Sequence, residues 1–414
     1  DTNSQLSKTV LTMSGTTGTA DHVQGAAQTV LDEDQPDYVT STYDSSQNAV
    51  VTFYADGGNN GYLTAIVHKT AYSNEQLTTE NFIGTSAHSA ADGAKVLVNT
   101  QGAIDENQSG LTAGQTFFVD KNGALQLTTN IAQSIGSEVV FKSASTLGTA
   151  VTFDSNSNRI VIVYRNGSTG YGEAVVGTVS GTSISFGTPV VFVSSGITNV
   201  SSAFDSSNNK VLVCYEDGLD NDEGSARVGT VSSTSISFGT AVKFNTNGVT
   251  EQINVVFDSN VNKFAIFFKG QTNYGRAVVG TISGTDVSFG SIVAFKTATI
   301  TSIGASFDSN VNKSIVAYRD PDNSNSGRFQ IATISGTSIS FGSATEFNAG
   351  ATSYIISVYD SANNRTLIAY RDEGNSNYGT AIVQQSANDL SGSLSTDAVT
   401  AGTALSATKL LVKG

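Results

Sequence analysis

FDSNSNRIVIVYRNGSTGYGEAVVGTVSGTSISFGTPVVF, residues 153–192, is the stretch on which the fold turns. Phe153 closes a first strand, A, at an Asp154-Ser155 turn. A second strand, B, is the apolar run Ile160 to Tyr164. A third, C, runs from Ala174 to Val179 after a Gly-containing turn. A fourth, D, runs from Ile184 to Phe192. The runs are β-branched and aromatic, and Gly, Asn, Asp and Ser separate them, as short antiparallel strands and tight reversals require.

The unit recurs. An aromatic residue followed by Asp-Ser occurs six times, at Asp44, Asp154, Asp205, Asp258, Asp308 and Asp360, with spacings of 110, 51, 53, 50 and 52. Ten residues after each Asp stands an aromatic: Tyr54, Tyr164, Tyr215, Phe268, Tyr318 and Tyr370. Four units end in Ile/Val-Ser-Phe-Gly, at Phe186, Phe238, Phe289 and Phe341. Four strands in a repeat of this length are the arithmetic of a β-propeller blade.

The ends of the chain fix the expected closure. The last aromatic of strand D precedes the next Asp-Ser aromatic by 12 or 13 residues, as Phe192 precedes Phe204 by 12. Counting back by the same step from Tyr43 reaches Leu31, the end of Gln28-Thr29-Val30-Leu31. The unit around Asp360 has strands A to C and no Ser-Phe-Gly. We therefore expect an all-β, six-bladed propeller over 24–70 and 137–385, closed by an N-terminal strand at 26–31, because closure removes exposed sheet edges. Residues 71–136 interrupt blade one between strands C and D, and 386–414 leave blade six. These two pieces, with 1–23 as a candidate addition, are expected to form a small β satellite domain.

Composition agrees and excludes several functions. The 414 residues include 41 Gly, 21 Phe, 14 Tyr, no Trp, one Cys and three His. Acids outnumber bases 35 to 21, a net charge of −14, so phosphate-neutralising contact with nucleic acid is not expected. A single Cys excludes an internal disulfide framework and a Cys-based zinc site. No apolar run approaches 18 residues, so no transmembrane helix is expected.

The unit resembles repeats in large proteins of marine bacteriophages and marine bacteria. Gly110-Leu111-Thr112-Ala113-Gly114-Gln115-Thr116-Phe117-Phe118-Val119 is similar to a small module of phage tail and fibre-like proteins, and Ala401 to Leu410 is similar to the close of that module. The resemblance implies a non-enzymatic virion protein, structural or host-adsorbing. Its expected location is the virion or the cell exterior, and its expected partners are other virion or surface proteins and host-surface glycan, with a homo-oligomer as a further candidate. The alternative is a secreted or cell-surface carbohydrate-binding adhesin or lectin, and behind it a polysaccharide-degrading enzyme.

No residue pattern points to catalysis. The Asp-Ser pairs obey the repeat, as turns do, and do not match the sialidase box. No nucleophile elbow, phosphate loop or dinucleotide fingerprint is present. The B–C connections carry the candidate ligand residues. The position after the strand B aromatic holds Arg165, Lys269, Arg319 and Arg371, while Tyr171, Tyr274 and Tyr378 recur further along the same loops. Guanidinium groups suit carboxylates or sugar hydroxyls, and Tyr rings suit sugar faces. The competing readings are ion pairs between blades and Tyr packed on its own loop. Asp217, Asp220, Asp222 and Glu223 offer hard oxygens to Ca²⁺, without the spacing of an EF-hand loop; a solvated acidic loop is the alternative. Cys214, at an apolar strand B position, is expected in the core.

Overall fold

The computed structural model describes residues 38–57, 60–68 and 136–386 in full, and outside them the backbone of strands alone. The described chain is all-β apart from single-turn 3-10 segments at Gln271–Asn273 and Pro321–Asn323. Units one to five are antiparallel sheets in the order A-B-C-D, and the sixth shows A-B-C among the described residues. In blade three, for example, the strands are Ile197–Asp205, Lys210–Asp217, Glu223–Ser232 and a D strand in two pieces, Ser235–Phe238 and Val242–Asn245.

The A–B turns are made as the sequence requires. Asp205 is fully buried, and its Oδ1 accepts the backbone N–H groups of Ser207 and Asn208, both at 2.9 Å. The same Asx turn forms at Asp44, Asp154, Asp258, Asp308 and Asp360. An Asn four residues further on takes left-handed φ in every unit, from Asn48 (49°) to Asn364 (53°). Asn tolerates that conformation better than most residues.

Strand D is not the single run expected. It breaks at residues 187–189 in blade two, where Phe186 pairs with Gly177 and Val190 with Ala174, so three residues oppose two. At the break in blade two the chain passes close to the next blade. A Cβ on Gly187 would fall 1.8 Å from the Thr234 carbonyl oxygen of blade three. Gly239 and Gly290 meet Thr285 and Thr337 in the same way, and Gly136 meets Thr182. Gly136 and the glycines of the first three Phe-Gly pairs are thus where one sheet rests on the next, while Gly342 of the fourth meets only its own sheet's Ile331 carbonyl oxygen, at 3.8 Å. The recurring glycine at the start of strand C also serves packing rather than a turn. A Cβ on Gly172 would fall 2.6 Å from the ring of Phe192, so the D-strand Phe lies directly over that backbone.

The Gly136 contact places blade one. Its strand C extends over Tyr62–Tyr72, and Ile131–Ile135 pairs back onto His68–Tyr72. Residues 71–72 and 131–136 are therefore part of the C–D ladder, and the interruption shortens to 73–130. Within it, Thr85–Ser86 pairs with Val98–Asn99 and Phe118–Val119 with Leu125–Gln126. The tail from 387 onward, and with it the expected pairing of tail and insertion, lies outside the described residues.

The A strands pack one on the next from Pro36–Asp44 to Thr352–Asp360, giving a propeller-like succession of sheets. Apolar clusters fill each gap. Between blades three and four, Leu212, Cys214, Phe244, Phe264, Phe268 and Val278 pack together. Burial pushes the Cys214 thiol far above its ordinary pKa, which leaves it a core residue. Blade six holds three described strands, Thr352–Asp360, Arg365–Asp372 and Tyr378–Gln384. The strand expected to complete it, Gln28–Leu31, pairs instead with Leu6–Lys8.

Candidate functional site

The inner strands share a feature. The residue six before each turn Asp has positive φ: Tyr38 (52°), Gly148 (58°), Asn199 (47°), Gln252 (53°), Ser302 (54°) and Tyr354 (51°). Five of the six are not glycine, and left-handed backbone is unfavourable for them. At or beside each, the A–B register slips, as between Thr198 and Ser201 or between Thr301 and Ile303. Each A strand therefore carries a β-bulge at its start, a device that re-aims a side chain.

Two adjoining cavities collect these residues. The first, about 330 Å³, is lined by Tyr38, Leu147, Gly148, Thr149, Arg165, Ile197, Thr198, Asn199 and Val200. The second, about 320 Å³, is lined by Asn199, Val200, Gln252, Ile253, Asn254, Ser302, Ile303 and Ile355. Asn199 and Val200 form the common wall, so all six A strands border this one basin.

Its chemistry is polar with an aromatic edge. Tyr38 is half exposed. Asn199 donates from Nδ2 to Glu216 Oε2 at 2.5 Å and accepts the Gln252 N–H at 3.1 Å, so its amide is locked in place. Thr198 also donates to Glu216. Burial raises the Glu216 carboxyl above its ordinary pKa, against the lowering by these two donors. Gln252 presents a buried Oε1 with no hydrogen-bond partner.

The residues singled out from the sequence divide sharply. Arg165 reaches the first cavity, and among the described residues its buried Nε has no acceptor and no carboxylate pairs with it. Lys269 pairs with Glu251 on its own sheet. Arg319 and Arg371 converge on Glu373, at 3.2 and 2.7 Å, which ties blade five to blade six. Arg371 also lies 4.9 Å from the centroid of the Tyr354 ring. Blade-to-blade ion pairing therefore accounts for Arg319, while Arg371 pairs with Glu373 within its own blade. Tyr171, Tyr274 and Tyr378 sit at equivalent positions of blades two, four and six, and Tyr378 is the most open of them at 60% exposed. None of the three lines either cavity.

The acidic loop of blade three has its own counter-ion. Lys243 reaches Asp220 at 2.5 Å and Glu223 at 2.6 Å. Asp217 accepts Ser195 Oγ at 3.0 Å and the Leu219 N–H at 3.3 Å. Among the described residues no three His, Cys, Asp or Glu side chains gather closely enough to hold a metal ion. Likewise, no described helix is long and apolar enough to cross a membrane.

Tyr38, Thr198, Asn199 and Gln252 were not anticipated from the sequence. The constant offset of six residues before each Asp was available as a signal. It is hidden because the residue type there changes from unit to unit.

No protein-family model and no curated protein matches the chain. Solved structures do resemble it. The BP39L lectin from Burkholderia pseudomallei superposes with a TM-score of 0.50 at 14% identity, covering 85% of this chain and 97% of that one. AofleA from Arthrobotrys oligospora gives 0.45 at 8% identity, covering 84% and 83%. The SapL1 lectin, solved with alpha methyl fucoside, gives 0.44 at 11% identity, covering 84% and 95%. The likeness to the BP39L lectin is one of fold.

Proposed function

We propose that this chain is a non-enzymatic carbohydrate-binding protein, a lectin or adhesin, whose ligand enters the basin bordered by the six A strands. The observation that carries the reading is the set of bulges at one offset in all six units. Backbone strain repeated in this way is retained where the surroundings need it, and here it borders a basin. The basin combines an exposed Tyr edge, amides fixed in orientation and an unpaired guanidinium, the groups that stack on and hydrogen-bond to a sugar. Three carboxylates of the neighbouring loops are engaged in binding other side chains: Glu216 with Thr198 and Asn199, Glu251 with Lys269, and Glu373 with two arginines. A static binding surface suits such commitments better than acid–base chemistry does.

The proposal includes a closed six-bladed ring. The outer face of blade six carries Tyr354, Ile356 and Val358 at 71, 66 and 59% exposure. Their counterparts elsewhere face the next sheet; a Cβ on Gly304, for instance, would fall 2.9 Å from the backbone of Ile355 and Ile356. Closure onto blade one would cover this apolar strip. The resemblance of residues 110–119 and 401–410 to phage tail modules extends the proposal to display on a virion, with a host-surface glycan as receptor.

A glycan array probed with the whole chain at high protein concentration tests the binding reading, which expects retained glycans; an array left blank would count against it.

A further inference from the structure

We infer that the first cavity selects a sugar bearing a carboxylate, a uronic or similarly acidic residue, through Arg165. This rests on the carbohydrate-binding reading and adds the class of ligand. Four units place a cation directly after the strand B aromatic. In three of them, Lys269, Arg319 and Arg371, a glutamate neutralises it. Arg165 is the exception among the described residues. It stands in a cavity wall with a buried Nε that no acceptor satisfies.

The other lining residues do not supply an anion. Tyr38, Leu147, Gly148, Thr149, Thr198 and Asn199 are all uncharged. Thr198 and Asn199 direct their donors away to Glu216. A guanidinium with free donors in a partly desolvated wall favours an acidic oxygen pair, because two parallel N–H···O bonds match a planar carboxylate. The volume, about 330 Å³, stands at the small end of ligand sites and suits one sugar ring. Tyr38, half exposed, offers a face for that ring. The chain's net charge of −14 opposes attraction of polyanions at long range. Selection of the acid must therefore come from this local contact.

The test is calorimetric titration of the whole chain with methyl glucuronide and methyl galacturonide, and with the matching neutral glucoside and galactoside. The expected result is a uronide affinity about tenfold above that of the neutral partner, the size of one charge-assisted contact. Arg165→Gln should erase the gap between uronide and neutral sugar, with an unchanged thermal midpoint as the check on folding. Arg165→Lys, which keeps the charge and loses the fork, should leave a gap of only a few fold. Acetate should compete with the uronide and leave the neutral sugar in place. Equal affinities in the parent protein, or a gap that survives Arg165→Gln, would overturn the acid selection and leave the carbohydrate reading standing. Failure of all four sugars to bind would remove both.

Discussion

Two single carboxylates show how acidity is put to structural use in this chain. Asp205 is an acceptor for its own turn, and Glu173 is a clasp between blades. Glu173 takes hydrogen bonds from Lys142 (2.8 Å), Tyr164 (2.8 Å) and Asn166 (2.7 Å), and Lys142 comes from blade one. Burial alone would raise its pKa, but the three donors outweigh that and bring it below the ordinary value of 4.5. A carboxyl lowered in the folded state stabilises the fold above the unfolded pKa and loses that contribution as pH falls through the folded value. Glu173→Gln should therefore lower the unfolding free energy at neutral pH and flatten its fall below about pH 4.5, in denaturant titrations across pH. An acid limb as steep as that of the parent protein would show that the clasp does not contribute.

At the scale of the element, glycine decides where sheets meet. Gly239 abuts the Thr285 carbonyl of the next blade, and a Cβ there would fall 2.0 Å from that oxygen. Gly239→Ala must push two sheets apart and should cost about 1–3 kcal/mol, read as a fall in the thermal midpoint. A midpoint unchanged within about a degree would mean that the sheets do not meet at this glycine. The Asx turns were legible in the sequence because Asp, Ser and Asn act there through their own local chemistry, independent of neighbours. The D-strand break was not, because Gly187 is required by a carbonyl about 50 residues away. The A-strand bulges were hidden for a different reason. Left-handed backbone is normally announced by Gly or Asn, and here it falls on Tyr38, Gln252 and Ser302 as well. Arg165 was legible as a candidate, but its difference from Arg319 and Arg371 depends on which glutamate each one reaches.

For the whole molecule, closure and binding are linked, since a basin bordered by six A strands needs all six held in place. Ile356 is 66% exposed on the free face of blade six. In a closed ring Ile356→Asp would bury an unpaired charge and should cost about 2 kcal/mol or more. On an open face it would leave the thermal midpoint almost unchanged. The central claim, that the bulged A strands form a carbohydrate site, is tested most directly by a glycan array probed with the parent chain, Tyr38→Ala and Tyr378→Ala in parallel. Glycans should be retained by the parent and by Tyr378→Ala, and lost with Tyr38→Ala. A blank array, or Tyr38→Ala binding like the parent, would contradict it.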